Sequence, residues 1–323
     1  MYSFWDSERD KKEEEKLRKK NLRLISTEVD SFFIDKMKEL KLEERAGQWE
    51  MALEIVQGMI DDQHVLVEAG VGIGKTYAYV VPLLFYHKKY GKPIIIATST
   101  IALQEQLAND IKTVEKILNY YPEVLIAKGQ SHFLCKNRLE EYFFGKKNTE
   151  EYVYYEEIDK GGYERSDWNL EIPDKIWNRI NVLTFNPVTC RQTCPYKDSC
   201  FYYQLRIELK DTNGFILCNQ DLLAMNMKKR NRGSTEIFVS DYEYIVIDEV
   251  HNLESKIRNA YTIAVSYLEC KRAMWDLGRT SKRMGGLLDD RIQNCLTLLD
   301  QVFSNLLLQV KKQDKNAIKE DKE

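Results

Sequence analysis

Eight residues near the start of the chain, Ala69-Gly70-Val71-Gly72-Ile73-Gly74-Lys75-Thr76, narrow the possible folds more than any other stretch. They sit between an apolar run, HVLVEA at 64–69, and a helical run through Tyr79–Tyr86. Glycine lets the backbone curl until successive N–H groups point at one spot, and the helix start adds its partial positive charge. A strand, a glycine-rich turn with Gly-Lys-Thr and a helix are together the context of a phosphate-binding loop. The strict pattern opens on glycine, whereas this chain has Ala69, whose methyl is tolerated if φ there stays negative. Gly70, Gly72 and Gly74 are then expected around the phosphates of ATP. Lys75 should reach the β- and γ-phosphates, and Thr76 should offer its hydroxyl to Mg²⁺.

Further short apolar runs follow at 92–100 (KPIIIATST), 123–129 (EVLIAKG), 214–219 (GFILCN) and 242–249 (YEYIVIDE), with the helical stretch 102–111 among them. Strands this apolar, alternating with helices, imply an α/β fold built on a mostly parallel sheet. The alternation breaks between about 130 and 213, which reads as an insertion, and turns wholly helical after 252. Before residue 45, the mixed-charge run 6–24 reads as a solvated helix. Phe32, Phe33, Met37 and Leu40 within 26–42 read as a packing face.

The run at 242–249 ends in two acids, Asp248 and Glu249, with His251 just beyond. In a parallel sheet, ligands gather at the carboxyl ends of strands, which is also where a phosphate loop sits. Asp248 is expected to hold Mg²⁺ through water, and Glu249 to orient and deprotonate the attacking water. His251 is expected to couple the nucleotide site to the rest of the motor. Alone the acidic pair is a weak signal, but downstream of the loop it indicates nucleotide hydrolysis.

Four of the seven cysteines fall in the insertion: Cys135, then Cys190, Cys194 and Cys200. The start of the chain is too charged for a secretion signal and no apolar run is long enough to span a membrane, so the cytoplasm is expected, where clustered thiols point to metal rather than disulfides. Thiolates suit an iron–sulfur cluster or zinc, and the irregular C-x3-C-x5-C spacing differs from the paired knuckles of structural zinc. Cys218 reads as a small buried hydrophobe. With 48 Lys and Arg against 51 Asp and Glu, net charge is -3, so any nucleic-acid surface must be local. The basic clusters are Lys136, Arg138, Lys146 and Lys147, and then Lys228, Lys229, Arg230 and Arg232, the second of which also reads as a loop. Phe133, Tyr142, Phe143, Tyr202 and Tyr203 supply rings suited to stacking with single-stranded DNA, or simply to a small core.

Val-Ile-Asp-Glu-Val-His at 246–251 resembles the DEAH box of superfamily 2 helicases. Arg45-Ala-Gly-Gln48-Trp-Glu-Met51 resembles the adenine-reading motif of one branch, which implies that Arg45 and Gln48 face ATP. Thr98 to Leu107, with Thr100, Gln104 and Gln106, resembles the motif that touches the DNA backbone. Asn219-Gln-Asp-Leu222-Leu223 resembles a motif usually reading Asn-His-x-Leu-Leu, with Gln220 in place of the histidine. KGQSHFLC at 128–135 resembles the segment presenting the first cluster ligand in the iron–sulfur helicases of the DinG/XPD type. The resemblance covers roughly residues 45–260. It implies a RecA-like motor domain, a [4Fe–4S] cluster on Cys135, Cys190, Cys194 and Cys200, and a helical segment similar to the start of an arch domain. The implied layout is an N-terminal helical segment (1–44), motor domain (45–128 and 214–251), cluster insertion (129–213) and arch-like segment with charged tail (252–323).

By this resemblance the function is ATP-dependent 5′-to-3′ unwinding of single-stranded or forked DNA in repair or replication. The second motor lobe has no counterpart here, so weak ATP binding, poor hydrolysis and no unwinding by the chain alone are expected, with a separate chain as one source of that lobe. Two alternatives stay open. One is a cluster-bearing module that binds single strands without turnover; the other is a P-loop ATPase of another class with a zinc-bound insertion.

Overall fold

The computed structural model describes residues 4–41, 45–70, 72–283 and 285–320. Val71 of the glycine-rich run, Leu42 of the expected packing face and the last three residues of the tail lie outside them. Two units are present, one up to Ala260 and one from Tyr261.

The first unit opens with α1 (Phe4–Ser31), a π-helical turn (Phe32–Lys36) and α2 (Met37–Glu39), then α3 (Ala46–Asp61) and α4 (Lys75–Tyr90). The charged run of α1 is exposed along most of its described length, with Leu22 turned inward. Leu22, Ile25 and Val29 recur at helical spacing and are buried, and Phe32, Phe33 and Met37 carry the same face onward, while Leu40 stays outside. α4 is buried on most of its circumference from Ala78 to Leu84, as befits a helix pressed between a sheet and other helices.

Next come β1 (Ile94–Thr98), α5 (Ile101–Leu118) and β2 (Val124–Ala127). Five helices follow: α6 (Lys136–Phe143), α7 (Tyr152–Ile158), α8 (Asp174–Ile180), α9 (Pro187–Thr193) and α10 (Phe201–Asp211). β3 (Phe215–Asn219), α11 (Gln220–Asn231), β4 (Tyr244–Ile247) and α12 (Leu253–Tyr261) complete the set. The sheet is parallel throughout, in the order β2-β3-β1-β4. Ile94 is in register with both Phe215 and Tyr244, so Thr98, Asn219 and Asp248 emerge along one edge. Pleating divides each central strand between two cores: Ile94, Ile96, Phe215 and Leu217 join α1, α3, α4 and α5, while Ile95, Ala97, Ile216 and Cys218 face the other side. This double burial is why β1 and β3 are apolar without alternation.

The expected strand at 64–69 is not formed. Residues 63–70 are irregular, Leu66 is 85% exposed, and the sheet has four strands rather than five. No strand pairs with this run among the described residues, and without a ladder partner an extended segment has nothing to hold it in the sheet.

The long crossover from β2 to β3 holds its own apolar cluster, in which Leu139, Phe143, Ile158, Trp168, Ile176 and Trp177 are buried. Bridges Phe133–Glu164 and Leu134–Asn181 hold it together internally, and the Lys128–Glu164 ion pair at 2.6 Å ties it to the end of β2. In the second unit, α13 (Tyr267–Arg283) and α14 (Asp289–Glu320) pair as a helical hairpin, with Tyr267 stacked edge-on to Phe303 and donating to Asp300 Oδ1 at 2.6 Å. Among the described residues no helix is long and apolar enough to cross a membrane.

Candidate functional site

Backbone conformation sets up the glycine-rich turn. Gly72 and Gly74 have φ of +88° and +83°, a region that L side chains rarely enter, and a Cβ on Gly74 would lie 2.2 Å from the Gln48 amide nitrogen. Ala69 lies outside that group of positive-φ residues, consistent with its methyl. Gln48 Nε2 donates to the carbonyl of Gly74 at 2.7 Å, and Arg45 Nη1 to that of Gly72 at 2.5 Å. The two residues expected to face ATP therefore also brace the turn, from the start of α3. Gly74 caps α4, so Lys75 and Thr76 stand at the helix N-terminus.

Across from them β4 delivers the acidic pair. The Asp248 N–H donates to Ala97 O at 2.9 Å, continuing the ladder one residue past the strand. Glu249 then turns back in the left-handed region at φ 55°, a conformation costing a non-glycine residue about 1–3 kcal/mol. Gln220 holds that turn. Fully buried, it donates from Nε2 to the carbonyls of Asp248 at 2.7 Å and Glu249 at 3.0 Å, while its Oε1 has no partner among the described residues. The glutamine that replaces histidine in the 219–223 motif thus has a defined structural role, which the motif comparison alone left unassigned. The motif also caps α11, since Asn219 Oδ1 accepts from Leu222 N.

The two halves meet at Lys75, whose Nζ lies 2.7 Å from Glu249 Oε1. The bond and the charge of Lys75 hold the Glu249 carboxyl below the usual range, and Glu249 in turn raises Lys75. Asp248 is pushed upward, chiefly by burial and against the pull of Lys75. Both residues of the pair are about one-third exposed, so the contact adds on the order of 1 kcal/mol or less to folding. Burial raises the Tyr79 hydroxyl, one helical turn on from Thr76, and Thr76 lies near enough to oppose that rise. His251 is largely exposed, with Nδ1 3.4 Å from Glu249 Oε2 and Nε2 beside Asn252. At the same edge, Thr98 donates to Thr100 O, the Thr100 hydroxyl caps α5, and buried Gln104 reaches Ala127 O at 3.4 Å; Gln106 is exposed.

The four insertion cysteines are all half-buried, unlike Cys218, which is wholly buried and has its thiol pushed far up. Cys135 and Cys200 occupy N-cap positions of α6 and α10. Burial raises both thiols. Backbone N–H groups of Arg138 and Asn137 oppose this at Cys135, and that of Tyr203 at Cys200. The four are near enough to feel one another: Cys194 raises Cys135, and Cys135, Cys194 and Cys190 all raise Cys200. Among the described residues, however, no three His, Cys, Asp or Glu side chains converge as a single bound ion would need.

The basic and aromatic residues are mostly committed elsewhere. Phe133, Phe143 and Tyr202 are buried, so they serve the core. Arg138 donates to Asn181 O, and Lys146 pairs with Glu151 over the Tyr142 ring. The stretch also read as a loop at Lys228–Arg230 is the last turn of α11, where Arg230 donates to Tyr242 and Lys228 to Ala260 O. Positive charge there stabilises a helix C-terminus. Lys147 and Arg232 remain exposed.

A glycine turn facing an acidic strand end on a parallel sheet defines a P-loop nucleotide domain, and residues 45–141 match the DEAD/DEAH box helicase family. The chain is 30% identical over 220 residues to the ATP-dependent DNA helicase YoaA of Escherichia coli K12, covering 65% of this chain and 33% of that protein. It is 23% identical over 290 residues to the ATP-dependent helicase DinG of Mycobacterium tuberculosis H37Rv (81% and 41%), and 26% identical over 253 residues to the 3′-5′ exonuclease DinG of Bacillus subtilis 168 (75% and 26%). The chain is thus similar to DEAD/DEAH box helicases over residues 45–141, and to the DinG and YoaA proteins over a larger part of its length. It spans between about a quarter and two-fifths of the length of these relatives.

Proposed function

We propose that this chain is the nucleotide-binding motor part of a DinG/YoaA-type, ATP-dependent 5′-to-3′ DNA helicase. The observation that carries the reading is the 2.7 Å approach of Lys75 to Glu249 beside Asp248. In the proposed site, γ-phosphate competes with Glu249 for the Lys75 ammonium and so frees the carboxylate. Glu249 is then available to take a proton from the attacking water. Thr76 and Asp248 hold Mg²⁺, Gln48 and Arg45 flank the base, and Gly70, Gly72 and Gly74 line the phosphates. His251, in contact with Glu249, relays occupancy to the rest of the motor. The motor domain is taken as 45–128 and 214–251, with the insertion at 129–213, the N-terminal segment at 1–44 and the arch-like segment at 252–323. Single-stranded or forked DNA is the substrate and the cytoplasm the setting.

The insertion cysteines are the proposed holders of a [4Fe–4S] cluster. Two features support it: an all-thiol donor set of half-buried cysteines, and backbone N–H groups near two of the sulfurs. Such a cluster supplies structural bracing. Anaerobically purified protein should contain about four irons and four sulfides per chain, and Cys194→Ser should lose the visible absorption. Stoichiometric zinc, or an unchanged spectrum in the variant, rejects the assignment.

Hydrolysis by the chain alone should be slow and stimulated by single-stranded DNA, with no measurable unwinding. Arginines that face the γ-phosphate are worth about 10³–10⁵ in rate in related chemistry, and they are expected from the second lobe. Glu249→Gln should lower the DNA-stimulated rate at least about 100-fold while keeping nucleotide binding. An ATPase rate indifferent to DNA, with DNA binding retained, favours a binding module instead.

A further inference from the structure

The outward side of α1 carries charge of one sign. Between Lys16 and Thr27 the sequence has five basic residues and no acidic one, in a chain whose net charge is -3. Lys16, Lys20, Arg23 and Thr27 follow one another at steps of four, three and four, which stacks them along one face of the helix. That face lies opposite the buried stripe of Leu22, Ile25 and Val29. Lys19 joins it from one side. Lys16, Lys19, Lys20, Arg23 and Thr27 line, with Leu24, one hollow of about 420 Å³.

These cations are not neutralised within the protein. Lys19 pairs with Glu15 at 2.9 Å, but Lys16, Lys20 and Arg23 are exposed and make no ion pair among the described residues. Nor is the ridge a loose arm. Arg18, on the inward side, donates to Glu243 at 3.3 Å and to Tyr244 Oη at 3.0 Å, the Tyr90 hydroxyl donates to Arg18 O, and Trp49 donates to Asp30 Oδ1 at 3.0 Å. These bonds fix α1 to the start of β4, to α4 and to α3. A row of like charges held together on a fixed helix repels itself, and it gains when a polyanion exchanges its own counterions for those charges. Because the helix is already ordered, binding forfeits little backbone freedom.

We propose that this ridge binds the phosphate backbone of duplex DNA, at a site separate from the nucleotide pocket. From Lys16 to Arg23 the helix advances about 10 Å, a length over which a duplex presents about six charges, so each of the four cations can meet a phosphate. Residues 11–31 of α1 include no aromatic ring, so the ridge offers nothing on which the bases of a single strand could stack. Its apolar stripe is turned into the core, so it cannot sink into a lipid surface as an amphipathic membrane helix does. Backbone contact carries no sequence information, so binding is indifferent to sequence. That the duplex is DNA rests on the helicase reading; the anion-binding ridge does not. On a forked substrate the ridge holds the paired arm.

Salt titration of binding tests this, with the full chain and a blunt DNA duplex of about 20 base pairs followed by fluorescence anisotropy. Each phosphate contact contributes about 0.9 to the slope of log affinity against log salt. The triple variant Lys16→Gln, Lys20→Gln, Arg23→Gln should therefore lower that slope by about 2–3 and weaken duplex binding at least about tenfold on every sequence tried. Its melting temperature and Mg–ATP affinity should match the parent's, since all three side chains are exposed. Lys16→Arg with Lys20→Arg keeps both charges and should keep the slope. Four results overturn the proposal: no duplex binding by the parent; unchanged slope and affinity in the triple variant; an equal loss on a single strand of the same length, which makes the grip one for any strand; or stronger binding to phosphatidylserine–phosphatidylcholine vesicles than to the duplex, abolished in the variant, which makes the partner a lipid surface. Mg–ATP binding measured on the same samples keeps the two readings apart. A parent that binds Mg–ATP while the variant keeps the duplex slope sinks only the ridge, whereas a parent without Mg–ATP binding sinks the nucleotide site and leaves the ridge to its own slope.

Discussion

At the scale of single residues, Gln220 and Glu249 show how a strained turn is kept in place. Glu249 accepts a left-handed backbone, and the two carbonyls at that bend take their hydrogen bonds from one buried amide. Gln220→Ala removes both donors and opens a small cavity. Stranding buried acceptors costs about 1–3 kcal/mol, so urea unfolding should show a loss of that size, and nucleotide affinity should fall with it. A variant as stable as the parent would mean that the turn is held by other contacts. The Lys75–Glu249 pair is a different case: partly exposed and of small energetic weight, it is informative for where it puts an ammonium and a carboxylate.

At the scale of elements, His87 joins helix, loop and sheet. Its Nε2 lies 2.7 Å from Asn213 O and must carry the proton, so Nδ1 accepts from the Tyr120 hydroxyl at 2.7 Å. Burial depresses this imidazole below its ordinary 6.5, against the opposing pull of the Asn213 carbonyl. A depressed base contributes stability that is present above the unfolded value and lost as pH falls through the folded one. Urea midpoints should therefore drop as pH falls below about 6.5. His87→Gln should flatten that slope without abolishing it, because His132 is depressed by burial too; an unaltered slope would remove His87 from the account. The sequence predicted four of the strands well because runs such as IIIAT and FILCN are apolar on both faces and bounded by turn residues. It predicted 64–69 by the same rule and missed, because a strand exists only through its neighbours, and composition does not reveal whether one is beside it. The helix of Lys228–Arg230 was obscured by its charge. The solvated helix read at 6–24 is there, and the buried stripe that anchors α1 lies mostly just past it, at Ile25 and Val29.

At the scale of the whole molecule, residues far apart in sequence converge on one edge of the sheet: Arg45 and Gln48 from α3, the 72–76 turn, the acids after β4 and Gln220 from α11. The phosphate turn and the acidic pair were legible from the residues themselves, whereas Arg45, Gln48 and the 219–223 motif came from the family resemblance. The bracing contacts among them were not, since Gln48 to Gly74 and Gln220 to Asp248 depend on tertiary packing. The central claim is that Lys75 and the Asp248–Glu249 turn form one Mg–ATP pocket. Calorimetric titration of Mg–ATP into the parent chain and into Lys75→Ala tests it most directly. One saturable site in the parent, weakened at least tenfold in the variant with its circular dichroism unchanged, is the predicted result. Equal affinity in the two proteins would contradict it.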